Sequence, residues 1–245
     1  MINLTDINKT FNPHTPQEVR ALRDINLHIA NEDFVIILGS NGSGKSTLLN
    51  IIAGNILADK GQLTIDNQAV THIKDYDRSK WIARIFQDPF SGTASELSII
   101  DNFRLASIRT KKKGLTIGIN NDFKKTVRDK IAMLGLGLED KLEQPMGTLS
   151  GGQRQALTLI MAIMDDAKIL LLDEPAAALD PKTSEIIMQK ANQLIHEFHL
   201  TAILITHNLK DAATYGNRVI LMKEGSIAID KKEKVTINEL HNWFS

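Results

Sequence analysis

The chain has 245 residues, and its 29 basic and 29 acidic side chains leave no formal net charge at pH 7. This length accommodates one large domain, or one domain that carries an inserted lobe. Because a balanced chain creates no overall field that attracts nucleic acid, we expect no nucleic-acid partner. The absence of cysteine excludes disulfides, thiolate zinc sites and a cysteine nucleophile.

Membrane insertion is not expected from the sequence. No apolar run approaches the roughly 18 to 20 residues that a spanning helix needs. Residues 1–6 lack the basic segment followed by an apolar segment that marks an export signal. We therefore expect a soluble chain, in which any membrane role comes through a partner.

The first half of the chain predicts short strands and one helix. Residues 2–4 and 25–29 alternate apolar and polar side chains, as half-buried antiparallel strands do. Residues 34–38 are apolar throughout, which is typical of a parallel strand covered on both faces. An apolar helix is predicted for residues 45–53, a strand and turn for 63–68, and a central strand for 82–86.

Residues 91 to about 146 have a helical and more polar pattern, with Lys111, Lys112, Lys113 and Gly114 as a predicted loop tip. The lysines could instead touch lipid headgroups or a partner, but lipid recognition typically uses clusters of about four to eight basic residues.

The second half alternates helices and strands. Ser150 is a predicted N-cap for an amphipathic helix that ends near residue 164. Strands are predicted for residues 169–172, 201–205 and 219–222, and helices for 182–198 and from residue 209. This alternation favours a parallel α/β sheet.

A phosphate-binding loop follows the strand at residues 34–38. It fits the pattern G-x-x-x-x-G-K-[ST] with Gly39, Ser40, Asn41, Gly42, Ser43, Gly44, Lys45 and Ser46, and Thr47 continues into the helix. Its glycines let backbone N–H groups turn toward an anion at a helix N-terminus. Lys45 is predicted to contact the β and γ phosphates, and the Ser46 hydroxyl to bind Mg²⁺.

Two carboxylates, Asp173 and Glu174, end the strand that begins at residue 169. Ligands of open α/β sheets bind at this edge, although the pair could instead cap a helix before Pro175. His207 and Gln87 also follow strands, but a lone histidine or glutamine there is more often structural or exposed.

Leu149, Ser150, Gly151, Gly152 and Gln153 read Leu-Ser-Gly-Gly-Gln. Together with the phosphate loop and the Asp-Glu pair, this pentapeptide makes nearly the whole chain resemble the ATP-binding subunit of an ABC transporter. The resemblance implies an α/β fold: a P-loop NTPase core with a mostly parallel sheet, an N-terminal antiparallel β-lobe and an inserted helical lobe. We expect one domain over residues 1–245, with the signature pentapeptide in an inserted lobe at 91–164.

The resemblance also implies roles for single residues. Asp173 supports Mg²⁺ through its water shell, and Gln87 senses Mg²⁺ and water. Glu174 polarises the attacking water, while His207 contacts the γ-phosphate and that water. Phe11 stacks on adenine, with a place in the β-lobe core as the alternative.

The signature segment is predicted to act across a dimer. Small residues at the start of its helix let N–H groups approach an anion, and the chain's own ATP is already surrounded on one face by the phosphate loop. The resemblance therefore assigns Ser150, Gly151, Gly152 and Gln153 to the nucleotide of a second copy. Asp180 is expected at the same interface.

The chain departs from the family pattern at Ala176 and Ala177, where Thr and Ser are common. Both catalytic candidates, Glu174 and His207, are intact, so we expect an active ATPase with ATP and Mg²⁺ as cofactors.

The expected function is ATP hydrolysis that powers solute movement across a membrane, with import favoured. Expected partners are a second copy, a transmembrane permease subunit and a solute-binding protein, at the cytoplasmic face of the membrane. A non-transport ABC protein is disfavoured, because such proteins usually carry two cassettes or an interrupted one. A membrane-associated cassette that transmits force or a regulatory signal stays open.

Overall fold

A computed structural model describes residues 1–108 and 118–244. In chain order, the strands of this part are β1 (Ile2–Phe11), β2 (Val19–Ile29), β3 (Phe34–Leu38), β4 (Lys60–Ile65), β5 (Gln68–Ala69), β6 (Ile82–Ile85), β7 (Ile169–Asp173), β8 (Thr201–Ile205), β9 (Arg218–Lys223) and β10 (Ser226–Lys231). The helices are α1 (Lys45–Ala53), α2 (Asp75–Arg78), α3 (Ile99–Ser107), α4 (Asn121–Ala132), α5 (Gly151–Ala162), α6 (Pro181–Glu197), α7 (Leu209–Thr214) and α8 (Ile237–Phe244).

The strands form two sheets. An antiparallel sheet has the order β2-β1-β4-β5, and a second sheet has the order β10-β9-β3-β8-β7-β6. In the second sheet all neighbouring strands are parallel except β10, which pairs antiparallel with β9. The predicted fold, with an antiparallel lobe beside a mostly parallel sheet, is confirmed.

Strand β3 separates two hydrophobic cores. Phe34, Ile36 and Leu38 pack in the larger core with α3, α4, α5 and α6. Val35 and Ile37 pack in the other core, between α1 and the antiparallel sheet. Successive side chains of a strand point to opposite faces, so burial on both faces explains why this strand is apolar throughout.

The segment predicted as an inserted lobe contains α3, α4 and α5. Each begins at a polar side chain that accepts a hydrogen bond from a backbone amide three residues later, namely Ser98, Asn120 and Ser150. Their buried side chains join the same core as one face of the parallel sheet. The boundaries of the lobe stay a prediction, and the predicted loop tip at Lys111, Lys112 and Lys113 lies outside the described residues.

At the C-terminal end, β9 matches the strand predicted for residues 219–222, whereas β10 and α8 were not predicted. Strands β9 and β10 are joined by Glu224 and Gly225, whose φ values are 50° and 81°. Positive φ at both residues is typical of the tight turn that connects antiparallel strands. Helix α8 buries Leu240, and Lys231 binds its Glu239 at 2.7 Å.

The helices of residues 1–108 and 118–244 are each too short or too polar to span a bilayer.

Parallel pairing determines where the polar loops meet. The carboxyl ends of β3, β6, β7 and β8 lie along one edge of the sheet, because these strands are neighbours with the same direction. The segments that leave this edge contain the phosphate loop, Gln87, Glu174 and His207.

Candidate active site

The phosphate loop joins β3 to α1, and its end glycines are required by the surrounding backbone. A Cβ atom on Gly39 would collide with the carbonyl oxygen of Met222, and one on Gly44 with that of Ala21. Gly44 also adopts φ 100°, which side-chain-bearing residues rarely do. The loop is therefore held between β9 and β2, with its backbone shaped before any ligand binds.

Lys45 occupies the centre of this loop. Its ammonium donates to the carbonyl oxygens of Gly39 and Ser40, each at 2.9 Å, and the residue is 7% exposed. Burial lowers the pKa of the Lys45 ammonium, and the carboxylates of Glu174 and Asp173 oppose that shift. The loop therefore concentrates one positive charge where the motif predicts phosphate.

The loop also has polar groups left over for a ligand. The Ser43 hydroxyl is buried without a hydrogen-bond partner among the described residues, whereas Ser46 is exposed at the start of α1. An unsatisfied buried hydroxyl beside a helix N-terminus and a buried lysine fits a phosphate chain.

The predicted metal ligands, Ser46 and Asp173, have the donor atoms that Mg²⁺ held through a nucleotide would use. Within the described ranges, no group of three His, Cys, Asp or Glu side chains could hold a metal by itself. Mg²⁺ usually uses one or two protein oxygens together with phosphates and water. The Ser46 hydroxyl and the Asp173 carboxylate provide such oxygens.

The side chains of Gln87 and His207 converge on one carboxylate oxygen of Glu174. The Nδ1 atom of His207 lies 3.2 Å from Glu174 Oε2, and Gln87 Nε2 donates to the same oxygen at 3.5 Å. Glu174 is held by a bond from its amide to the carbonyl of Ile205 at 3.0 Å. The structure thus brings together three residues that are far apart in sequence.

The backbone of Glu174 is unusual. Its φ of 46° lies in the left-handed region, which residues other than glycine seldom enter, and strain of this kind is concentrated at active sites. The conformation turns the chain sharply after β7. The carboxylate consequently points toward Gln87 and His207 instead of continuing along the strand.

Asp173 has a different environment. Its Oδ2 atom accepts a hydrogen bond from Arg84 at 2.8 Å, and both side chains are mostly buried, at 13% and 16% exposed. The two adjacent carboxylates therefore have separate partners, as the sequence predicted that they would have separate roles.

The signature segment begins α5 and caps it. The Ser150 hydroxyl accepts from the Gln153 amide at 3.3 Å, and the Gln153 side chain accepts from the Ser150 amide at 3.1 Å. The predicted N-cap is confirmed as a reciprocal capping box. A Cβ atom on Gly152 would collide with the Thr183 methyl group, so this glycine is also required for packing against α6.

Asp180 caps α6 beside the signature segment. Its carboxylate accepts from the Thr183 amide at 3.1 Å, and bonds to Thr183 lower the pKa of Asp180. Both helix starts line a recess of about 360 Å³, and its described lining includes none of residues 39–47. The recess at the signature segment therefore does not include the chain's own phosphate loop.

Phe11 is half-buried at the end of β1, opposite Val19. It belongs to neither hydrophobic core, so its alternative interpretation as a core residue loses support. The Lys9 ammonium lies 5.7 Å from the centre of its ring. Adenine stacking on Phe11 stays a prediction.

Three residues of the site were missed from the sequence. Arg84 binds Asp173, as described above. Arg154, which is fully buried, donates to the Met146 carbonyl at 3.0 Å, and Gln155 donates to the Phe86 carbonyl at 3.1 Å. Polar side chains on the buried face of an amphipathic helix were the available signal for Arg154 and Gln155.

Comparison with known proteins gives a consistent family. The family model for ABC transporters matches residues 22–177. The tyrosine transport ATP-binding protein of Clostridioides difficile is 38% identical, over 100% of this chain and 98% of that protein. The thiamine import ATP-binding protein ThiQ of Photorhabdus laumondii is 36% identical, over 83% of this chain and 82% of ThiQ.

Solved structures agree with this result. The ATP-binding cassette MJ0796, in a dimeric post-hydrolysis state bound to ADP and Pi, superimposes with a TM-score of 0.81 at 30% identity. The alignment covers 96% of this chain and 100% of that cassette. Since the family match spans more than half of the chain and the similarity to relatives is continuous, the chain belongs to the ABC transporter family, as an ATP-binding subunit that hydrolyses ATP.

Proposed function

We propose that the chain hydrolyses Mg²⁺-bound ATP between two copies of itself and thereby drives solute import through a separate permease. The observation that carries the catalytic part of this proposal is the convergence of Gln87 and His207 on Glu174 Oε2. A carboxylate with these neighbours, beside a buried lysine, is suited to accept a proton from water near a phosphate.

Each residue has a separate task in the proposed reaction. Lys45 and the amides of the phosphate loop bind the β and γ phosphates. Ser46 and Asp173 hold Mg²⁺, directly and through water, and the cation would neutralise charge that develops on the phosphates. Glu174 orients and deprotonates the attacking water, and His207 fixes the carboxylate and the γ-phosphate. Gln87 links this group to the segment that follows β6.

The second copy would complete the site with its signature segment. In support, Ser150–Gln153 and Asp180 line a recess whose described residues exclude the phosphate loop. A helix N-terminus attracts anions, and here it has no nucleotide of its own to contact. The similarity to MJ0796, for which a dimeric structure is known, also supports this arrangement.

A groove beside Gln87 is the proposed docking site for the permease. It has a volume of about 270 Å³ and is lined by Phe86, Gly92, Leu105 and Met161, among others. Phe90 is 57% exposed and Leu105 is 50% exposed. Exposed apolar patches usually mark an interaction surface. An apolar helix of the membrane partner would bury them.

Import is supported by the names of relatives, and a position at the cytoplasmic face of the membrane is proposed with it. Several are named for import, of thiamine, phosphonates or oligosaccharides, and others are named as energy-coupling factor transporter proteins. Because a relative that matches 100% of this chain is named for tyrosine transport, amino acids are the first substrates to test. We include a solute-binding protein among the proposed partners.

Transport by the reconstituted complex tests the proposal. The chain, its permease and any copurifying binding protein would be placed in liposomes and supplied with ATP and labelled amino acids. ATP-dependent uptake that is lost in Glu174→Gln would support import. Partner-stimulated hydrolysis without movement of any solute would contradict it and favour a cassette that transmits force or a signal.

A further inference from the structure

Arg84 connects three parts of the site that the sequence analysis treated separately. It lies on β6, three residues before Gln87. Its Nη2 atom donates to Asp173 Oδ2 at 2.8 Å, and its Nη1 atom donates to the side-chain oxygens of Asn50 at 2.6 Å and Asn55 at 2.8 Å. Asn50 belongs to α1, the helix that starts from the phosphate loop, and Asn55 follows its end.

Two of the three guanidinium nitrogens of Arg84 donate hydrogen bonds here, whereas Nε is buried without a partner among the described residues. A planar guanidinium can serve several oxygens in a fixed geometry, which a lysine ammonium cannot reproduce. The Arg84 guanidinium also lies 4.8 Å from the centre of the Phe86 ring, directly before Gln87. Arg84 is only 13% exposed, and its bonds to Asn50 and Asp173 are partly buried, whereas its bond to Asn55 is exposed.

The hydrogen bond from Arg84 gives the two carboxylate oxygens of Asp173 different surroundings. Oδ2 is engaged by Arg84, so Oδ1 remains for the water shell of a cation at the phosphate loop. Residues that hydrogen-bond a metal-supporting group from behind orient that group and tune its basicity. A cation near Asp173 would meet a carboxylate that is already turned and partly neutralised.

We propose that Arg84 is a positioning residue for ATP hydrolysis: it fixes the Asp173 carboxylate for Mg²⁺ and couples it to the segment leading into Gln87. This inference rests on the proposed role of Asp173 toward Mg²⁺. A purely structural ion pair would affect folding stability alone. A purely electrostatic role predicts that a neutral side chain strengthens Mg²⁺ binding and leaves kcat intact.

Arg84→Met separates these roles, because methionine keeps apolar bulk but removes the charge and all three bonds. We expect kcat at saturating Mg²⁺ to fall about 10- to 100-fold, the usual effect of losing a group behind a metal site. ATP affinity measured by calorimetry in EDTA should stay within about twofold, because the phosphate loop and Lys45 are unchanged, and the gain in affinity on adding Mg²⁺ should shrink.

Matched variants make the test decisive. Arg128→Met removes an exposed arginine that lies 3.6 Å from Asp140 on the surface, and it should leave kcat and both affinities unchanged. Arg84→Lys keeps the charge and should restore the melting temperature more fully than it restores kcat. If the methionine variant does not fold, the melting temperature and kcat of Arg84→Lys are compared with those of the parent instead.

Two outcomes would overturn the inference. One is Arg84→Met or Arg84→Lys with kcat near that of the parent and only a lower melting temperature. The other is a larger gain in ATP affinity on adding Mg²⁺ together with an unchanged kcat. Asp173→Asn distinguishes this failure from that of the proposed function: if it hydrolyses ATP normally, the assignment of Asp173 fails first. If it is inactive while Arg84→Met is active, only the inference about Arg84 fails.

Discussion

The phosphate loop and the signature segment both lie at helix N-termini, but they differ in what surrounds them. The loop is enclosed by its own chain: Lys45 is 7% exposed and binds two carbonyl oxygens of the loop. The signature segment is capped only by its own Ser150 and Gln153 and opens onto a surface recess. The phosphate loop is thus largely enclosed within one chain, whereas the signature segment would need a second molecule to enclose a ligand.

This difference separates binding from hydrolysis. Under the proposed function, a single chain has the buried charge and the amides to hold phosphates, and we expect it to bind ATP alone. The N-terminus of α5 is then expected to act on a phosphate that another copy presents. Variants in the two regions should therefore differ in whether they weaken ATP binding or slow hydrolysis, and four substitutions test this difference.

Glu174→Gln should have the largest effect. Removing a general base typically costs about 10²- to 10⁴-fold in rate, whereas the amide keeps the size of the side chain and should preserve ATP binding. The variant is expected to accumulate as an ATP-bound dimer on size exclusion. Normal steady-state phosphate release by this variant would end the assignment of Glu174 as the catalytic base.

Gly151→Asp should slow hydrolysis strongly without harming the chain's own ATP binding. A Cβ atom at Gly151 has ordinary contacts, 3.4 Å from Pro89 and 3.6 Å from Leu179, so the helix should fold. The new carboxylate would face phosphate of the second copy, and such like-charge contacts cost several kcal/mol, which corresponds to about 100-fold or more in rate.

The neutral control for this variant is Gly151→Asn, which has the same shape and should retain much more activity. Calorimetry would measure ATP binding by each variant, and size exclusion would measure the dimer. If Gly151→Asp lost monomer ATP binding, the signature segment would contact the nucleotide of its own chain. The proposal that it acts on the nucleotide of a second copy would then be wrong.

Lys45→Ala should weaken ATP binding itself. Loss of a charge-assisted hydrogen bond costs about 1.5 to 3 kcal/mol, so the Kd should rise roughly 10- to 100-fold. Exposed Lys210, which lies 3.6 Å from Glu185, provides a control as Lys210→Ala. An unchanged Kd for Lys45→Ala, measured by calorimetry, would show that the enclosed loop does not depend on its central charge.

Asp180→Asn should have the smallest effect of the four substitutions, a slight change in melting temperature. Bonds to Thr183 lower the pKa of Asp180, so its charged form stabilises the fold above its ordinary pKa, and that contribution is lost as the pH falls below about 4. Asparagine caps helices about as well as aspartate. The parent should therefore melt slightly higher at pH 7, and this advantage should disappear at pH 3.

Asp180 also bears on the comparison itself. A melting advantage that is the same at both pH values would mean that the carboxylate does not stabilise α6 through its charge. A loss of hydrolysis in Asp180→Asn with intact ATP binding would instead add Asp180 to the surface that needs a second copy.

Local sequence patterns were sufficient for the phosphate loop. The motif that contains Gly39, Gly44 and Lys45 is recognised from neighbours along the chain: a strand, a tight turn and a helix N-terminus. That Met222 and Ala21 also require the two glycines became clear only from the structure. The order of strands and helices similarly predicted a parallel sheet, because buried strands are continuous in apolar sequence. The sharp turn at Glu174 and the hairpin at Glu224 and Gly225 left weaker signals and became clear only from their φ values.

Contacts between distant segments could not be read in this way. Arg84 is 89 residues from Asp173, and Gln155 is 69 residues from Phe86. Gly152 looked like a residue kept small for an anion, whereas its packing against Thr183 is a second reason for the missing side chain. None of these pairs has a periodicity or spacing that marks it.

Three motifs were recognisable in the sequence without a structure: a phosphate loop, an adjacent Asp-Glu pair and a signature pentapeptide, each marked by a short run of neighbouring residues. Only the tertiary structure decided how these parts meet. The parallel order of β3, β8, β7 and β6 brings Gln87, Glu174 and His207 to one sheet edge, and it places Arg84 against Asp173. Pairing of strands far apart in the chain sets those contacts, and no local pattern encodes them.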